Sequence, residues 1–232
     1  MKGKLLKMEV KKKMQITIDS ANVKIENGKV TIDLNPEQFT ALTCSNKVEL
    51  STLKQGEEFK LGDEVFIVLE QTDNGTRVIS KKFAYNDVKF GDNSNWKESP
   101  IRKKLNNEYF RKIAGIIGEN NILSMNRDLT SFYGSDYYGT CTDKVSLLTS
   151  VEYGRYRKIL ILKPDNPDLW WLITPVSTPG DDDYSCYVCC VYIGTMHSAL
   201  RGVFSWCDRS CTIGVRPLLN LEPSISVLLN KD

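Results

Sequence analysis

Apolar and polar residues alternate along the first part of the chain, and further on that spacing gives way to a helical one. From 14 to 34 the period is two: Ile16, Ile18, Val23, Ile25, then Val30, Ile32 and Leu34. Such alternation predicts half-buried strands. Asn27-Gly28 sits between the last two runs, the residue pair that best tolerates the positive φ angles of a two-residue hairpin. Asn35-Pro36 then ends the pattern. Phe59 and Leu61 lead into a strand expected at Glu64–Glu70, and Asn74-Gly75 turns it into another at Arg77–Lys82. At Ser99-Pro100 the period changes. A capping hydroxyl followed by proline starts a helix, and Ile101, Leu105, Tyr109 and Ile113 form one apolar stripe along it. Thr149-x-x-Glu152 is a capping box that opens a second, short helix. Between the helices, Asn126–Thr142 is rich in Gly, Ser, Asp and Tyr and reads as a long loop. Beyond Pro164 helical spacing disappears: Trp170–Ile173 and Gly214–Leu219 read as short strands around a turn-rich segment.

This order of strands, two helices, an irregular stretch and more strands predicts an α+β fold with much loop. A length of 232 residues accommodates one large domain with a small appendage. The division expected is 1–49, an N-terminal arm and β-hairpin for attachment or oligomerisation, and 50–232, the main domain. That the hairpin merely adds strands to the main sheet is the equal alternative.

Composition narrows the classes. A net charge of +2 gives no global argument for nucleic acid or for an anionic membrane. The clustered lysines at 2, 4, 7, 11, 12 and 13 read as a solvated arm. The first 18 residues lack the apolar run of a signal peptide, and no window is long and apolar enough for a membrane span. The expectation is therefore synthesis in a cytoplasm without a signal peptide or membrane insertion. Seven cysteines, an odd number in so large a chain, argue for reduced thiols over a disulfide framework.

One window departs from the rest. Pro164–Leu221 contains no Lys, Glu or Gln, although the chain has 39 of them and an even spread would put about ten there. It nevertheless holds five of the seven cysteines, along with Asp181, Asp182, Asp183, Arg201, Asp208 and Arg209. Exclusion of charge as such cannot produce that selection.

Four spaced motifs occur in order: Trp96-x-x-Ser99-x-Ile101-Arg102-x-x-Leu105-Asn106-x-x-Tyr109-Phe110, Thr142-Asp143-Lys144-Val145-Ser146-Leu147-Leu148-Thr149-x-x-Glu152-Tyr153, Trp170-Trp171-Leu172 and Gly214-Val215-Arg216-Pro217. Over about residues 50–222 they resemble a bacterial and phage domain family related to the C-type lectin-like fold in its formylglycine-generating-enzyme variant. The family continues the paired tryptophans with Leu-Arg-Ser-Pro, whereas this chain has Leu172-Ile173-Thr174-Pro175, so any role of that arginine does not carry over. No motif places Cys207 or Cys211 as the oxidising thiols of the formylglycine enzymes. The resemblance also implies a link to the variable proteins of diversity-generating retroelements, in which adenines of asparagine codons are randomised. Randomising the first two bases before C or T reaches Tyr, Ser, Cys, Asp, Arg and nine others besides Asn, but never Lys, Glu, Gln, Met or Trp. Met196 and Trp206 would then be fixed positions between variable ones.

On that reading the chain is not an enzyme and needs no cofactor or metal. It displays a diversified ligand-binding surface over about 184–213. The candidate residues are Cys186, Cys189, Cys190, Tyr192, His197, Ser198, Arg201, Phe204, Ser205, Cys207, Asp208, Arg209, Ser210 and Cys211. Tyr, Ser and Gly are what paratopes use, the first for contact area and the others for adaptable hydrogen bonding. Trp170, Trp171 and Trp206 are expected in the core, while Tyr192, Arg201, Asp208 and Arg209 are expected at the surface. The implied partner is a host or cell-surface macromolecule, a protein by preference and not nucleic acid. A virion-associated or cell-surface location and a homo-oligomer would suit it, since several copies compensate for weak single sites.

Two rivals stand beside it, with a plainer third, a structural phage or cell-surface protein whose binding face is not diversified. Cys186, Cys189, Cys190, Cys207, Cys211 and His197 have spacings compatible with tetrahedral zinc, which would make a zinc-stabilised interaction module. An enzyme related to formylglycine generation is the other, and it would need a reactive thiol of low pKa. Asp181-Asp182-Asp183 after Pro179-Gly180 either holds calcium or, as the plainer reading, is solvated. Arg216 reads as structural, satisfying carbonyls or a carboxylate beneath the last strands.

Overall fold

The computed structural model describes residues 6–10, 14–18, 23–26, 29–33, 47–161, 169–180, 184–192 and 203–230. For 6–10, 14–18, Val30 and 203–206 it describes the backbone alone. Contacts divide the chain into two units, 1–47 and 48–232. The first contains two antiparallel hairpins, β1 (Leu6–Val10) with β2 (Met14–Ile18) and β3 (Val23–Glu26) with β4 (Lys29–Ile32). Glu26 pairs with Lys29, while Asn27 and Gly28 themselves lie outside the described residues.

The second unit is mixed α+β, with two helices and many strands in open sheets. Its strands are β5 (Lys47–Glu49), β6 (Glu58–Leu61), β7 (Glu64–Thr72), β8 (Gly75–Ser80), β9 (Tyr85–Lys89), β10 (Ile122–Leu123), β11 (Met125–Asp128), β12 (Thr140–Asp143) and β13 (Val145–Ser146). The C-terminal part adds β14 (Leu169–Pro175), β15 (Tyr187–Tyr192), β16 (Val203–Asp208), β17 (Thr212–Val215), β18 (Leu218–Leu221) and β19 (Ser226–Leu229). Helix α1 runs over 100–117 and α2 is Ser150–Ile161. One sheet has the order β10-β18-β8-β7-β6-β19-β5, with β13 also pairing β18. A second has the order β16-β15-β14-β17-β9. The expected loop at Asn126–Thr142 is instead a loop framed by the antiparallel hairpin β11–β12, with Arg127 opposite Cys141. Its polar, Gly-rich composition describes the 129–139 connection, and the strand ends are too short to show a period.

Two apolar clusters explain why the central strands read as continuous hydrophobic runs. Along β14, Trp171 and Ile173 enter one cluster, whereas Trp170 and Leu172 enter the other. β7 does the same with Phe66 and Val68 against Ile67 and Leu69. A strand covered on both faces has no polar side to display. Helix α1 supplies Ile101, Leu105, Tyr109 and Ile113 to the first cluster, and α2 supplies Tyr153, Tyr156 and Leu160 to the second.

The four-residue spacing of the α1 stripe has a structural consequence. At 3.6 residues per turn, steps of four rotate each successive side chain by about 40° off the face. A π turn at Leu105–Tyr109 takes up the excess, and all four residues stay buried. Ser99 caps the start by accepting from Ile101 N at 3.2 Å.

The remaining motif residues clamp these elements together. Asp143 is buried and accepts from Trp96 Nε1 at 2.8 Å and Arg102 Nε at 2.7 Å. Asn106, on the π turn, accepts from the backbone of Lys144 and Val145 and donates to Val145 O. Arg216 is fully buried, donates through Nε to Ser80 O at 2.6 Å and lies 5.2 Å from the Trp170 ring. Burial pulls its guanidinium down to about 9, so it remains a cation at neutral pH. Gly214 has no room for a side chain, because a Cβ there would meet the Phe83 ring at 2.3 Å.

Candidate functional site

The window that lacks Lys, Glu and Gln runs from β14 to β18, and its candidate binding residues lie at the β15–β16 end of the second sheet. β15 and β16 pair antiparallel with Cys189 opposite Trp206 and Val188 opposite Cys207. β15 is buried on both faces: Val188 and Cys190 face the first apolar cluster, Cys189 and Val191 the second. Cys189 and Cys190 are 0% exposed. Their expected place on a displayed surface is therefore corrected: these two thiols are core groups. Their pKa values follow, since burial pushes Cys189 up, and a hydrogen bond with Cys207 together with burial pushes Cys190 up.

The solvent-facing candidates lie at the strand ends. Tyr192, at the end of β15, is 51% exposed. Asp208 and Arg209 are half-buried, and Ser210 and Cys211 are exposed, in the turn that leaves β16. That turn is fixed locally: Asp208 Oδ1 accepts from Ser210 N at 2.8 Å, and Cys211 N donates to Asp208 O at 2.9 Å. The Ser210 contacts hold the Asp208 carboxyl below its ordinary range. Arg209 N in turn donates to Cys186 O, joining the turn to the approach to β15, where Cys186 is half-buried. Cys207 is half-buried on β16. His197, Ser198 and Arg201 lie outside the described residues, as do the side chains of Phe204, Ser205 and Trp206 and the Asp181-Asp182-Asp183 run. Trp170 and Trp171 are buried as expected, Trp171 donating to Val88 O at 2.8 Å.

Two neighbouring features were not legible as site residues. Exposed Phe132, Tyr133 and Tyr184 continue into half-buried Tyr187 as a chain of tilted rings, with centroids 5.7, 6.5 and 6.0 Å apart. Phe132 N and Tyr133 N hold this loop to Pro175 O and Val176 O. The adjacent doublets Phe132-Tyr133 and Tyr137-Tyr138 in an otherwise polar loop are the only sequence trace of it.

Phe132 also borders an open groove of about 910 Å³, lined among others by Arg77, Arg127, Thr149, Glu152 and Tyr153. The capping box forms its floor: Thr149 N donates to Glu152 Oε2 at 2.8 Å and Glu152 N to Thr149 Oγ1 at 3.1 Å. Arg127, 2% exposed, grips both oxygens of Glu152 at 2.9 and 2.5 Å, and Arg77 adds a bond to Oε1 at 3.0 Å. Burial alone would push Glu152 up, but the hydrogen bonds and charge of Arg127, the Thr149 N–H and Arg77 together hold it below 4.5. Thr174 Oγ1 accepts from Ser150 N at 3.0 Å. Thr174 thus serves the start of α2.

Among the described residues, no group of three His, Cys, Asp or Glu side chains is placed to hold a metal ion, and no helix is long and apolar enough to cross a membrane. No family model, curated protein or solved structure matches the chain.

Proposed function

We propose that the chain is a non-enzymatic ligand-binding protein with a C-type lectin-like scaffold and a diversified face. That face comprises the ends of β15 and β16 and the segment between them. The observation that carries this reading is the restricted alphabet of its solvent-facing positions. Where the described residues of the window reach solvent, they are ones that a randomised asparagine codon can encode: exposed Tyr184, Tyr192, Ser210 and Cys211 and half-buried Asp208 and Arg209 are examples. Exposed positions elsewhere carry Lys and Glu freely, as at Lys54, Glu57, Lys97 and Glu98. The motif residues, in contrast, are spent on the frame: Trp96, Arg102, Asn106 and Asp143 bond one another or nearby backbone, and Arg216 bonds the backbone of β8. A rigid frame under exposed, chemically varied turns lets side chains change without refolding the chain.

The proposed partner is a cell-surface macromolecule, bound through aromatic and small polar groups. Sequencing the encoding locus in related isolates tests the reading. Substitutions should fall on adenine-containing codons at the exposed window positions, with a near-copy of that segment beside a reverse transcriptase gene. Substitutions spread equally over frame and window, with no such copy, would overturn it.

A further inference from the structure

We propose that Cys190 and Cys207 form a reversible disulfide that fastens β16 to β15. Their sulfurs lie 2.8 Å apart. The register explains the contact: Cys190 pairs with Ser205 and Cys207 with Val188, so both thiols are on one face of the two-stranded ladder as diagonal neighbours. Cys189 projects to the opposite face, into the other apolar cluster, and cannot compete. β16 ends the five-stranded sheet, and among the described residues β15 is its only strand partner. A covalent tie at this point closes a ring of 18 residues that contains Tyr192, His197, Ser198, Arg201, Phe204 and Ser205. It would set how firmly both flanks of that segment are held. The bond does not depend on what the face binds.

The two thiols have unequal roles. Cys190 is buried and in hydrogen-bond contact with Cys207, which is only half-buried and so the one of the two that a reagent in solution reaches. That hydrogen bond draws the Cys207 thiol down, making it the better nucleophile. The oxidant is a low-molecular-weight disulfide such as oxidised glutathione. The Cys207 thiolate attacks one of its sulfurs, forming a mixed disulfide and releasing one glutathione thiolate, which takes up a proton. Cys190, giving up its proton, then attacks Cys207 Sγ and expels the second glutathione. Two protein thiols are oxidised and one small disulfide is reduced to two thiols.

The full-length protein, equilibrated in buffers of stepped glutathione redox ratio, quenched and alkylated, reads this directly. The seven thiols should fall to five in one step, and non-reducing peptide mapping should link Cys190 to Cys207. Melting temperature should rise by up to about 10 °C, and amide exchange across Tyr187–Tyr192 and Val203–Asp208 should slow at least about tenfold. Dithiothreitol should reverse all of it. Cys207→Ser should retain its six thiols, whereas Cys190→Ala should stop at a single glutathione adduct on Cys207. A cross-link through Cys186, Cys189 or Cys211, or seven thiols surviving in excess oxidised glutathione while the protein stays folded, overturns the proposal.

Discussion

Replacing Glu152 with Gln should be the most destabilising single exchange at the groove, and the structure says why. The carboxylate compensates two guanidinium groups, and one of them, Arg127, is 2% exposed. Removing the negative charge leaves Arg127 a buried cation facing neutral acceptors, among them the Leu147 carbonyl at 2.9 Å. Breaking a buried pair from one side costs about 3–5 kcal/mol. For a unit of this size that lowers the melting temperature by roughly 6–20 °C. Urea unfolding can be followed by tryptophan fluorescence, because Trp170 packs edge-on to Tyr153 of the same helix at 6.1 Å. The pH dependence has a definite sign. Glu152 is held below 4.5 in the folded state, so its contribution is complete above that value and disappears as pH falls through the lower folded pKa. The gap between wild type and Glu152→Gln should therefore be full at pH 7 and shrink in acid. The double variant Arg127→Met/Glu152→Met should cost at least about 2 kcal/mol less than the sum of its single variants, since the deeply buried Arg127 cation is removed together with its counter-charge. A gap under about 1 kcal/mol at pH 7, or one that does not change with pH, would show that the network does not stabilise the fold as argued.

Two further outcomes follow from the packing. Gly214→Ala should destabilise by about 1–3 kcal/mol in thermal melts, because its Cβ collides with the Phe83 ring, and trimming Phe83 to Ala in the same chain should restore part of the loss. Exchanges to Asn at Tyr192, Ser210 and Cys211 should leave stability within about 0.5 kcal/mol, whereas Cys189→Asp should cost at least about 3 kcal/mol by burying a carboxylate in the second cluster. Equal costs at both kinds of position would contradict the division between frame and displayed turns.

Much of the frame was legible because its signals are local. The capping box at Thr149 and Glu152, the Ser99 cap and the apolar stripe of α1 each depend on residues within one or two turns of helix, and each is found as the spacing predicts. At Asn74-Gly75 the hairpin was right and the turn was off by one residue. Thr72 pairs with Gly75, so Asp73-Asn74 make the connection. Gly75 is needed instead for its φ of 126° and its closeness to Leu123 and Asn220. What could not be read was whatever depends on distant pairing. The groove joins Arg77 and Arg127 to Glu152 across 75 and 25 residues of chain, and no spacing rule connects them. The π turn was present in the strict four-residue repeat, but only the structure shows what that repeat requires.

Burial also changes what the missing Lys, Glu and Gln mean. Most described side chains of the window are in the core, including nearly all of β14 and the run from Ile213 to Leu221. Lys, Glu and Gln seldom occupy such positions in any protein, so their absence there is no evidence for a codon filter. The filter has weight only where the chain meets solvent, and there the choice of Tyr, Ser, Cys, Asp and Arg still lacks a burial explanation. Cysteine separates the two causes most clearly. At Cys189 and Cys190 it behaves as a small core residue, while at Cys211 it stands exposed in a turn where packing gives no reason for it. The candidate surface contracts accordingly from the whole 184–213 segment to its strand ends and connecting turns, and the β15 thiols pass from ligand contact to the support of β16.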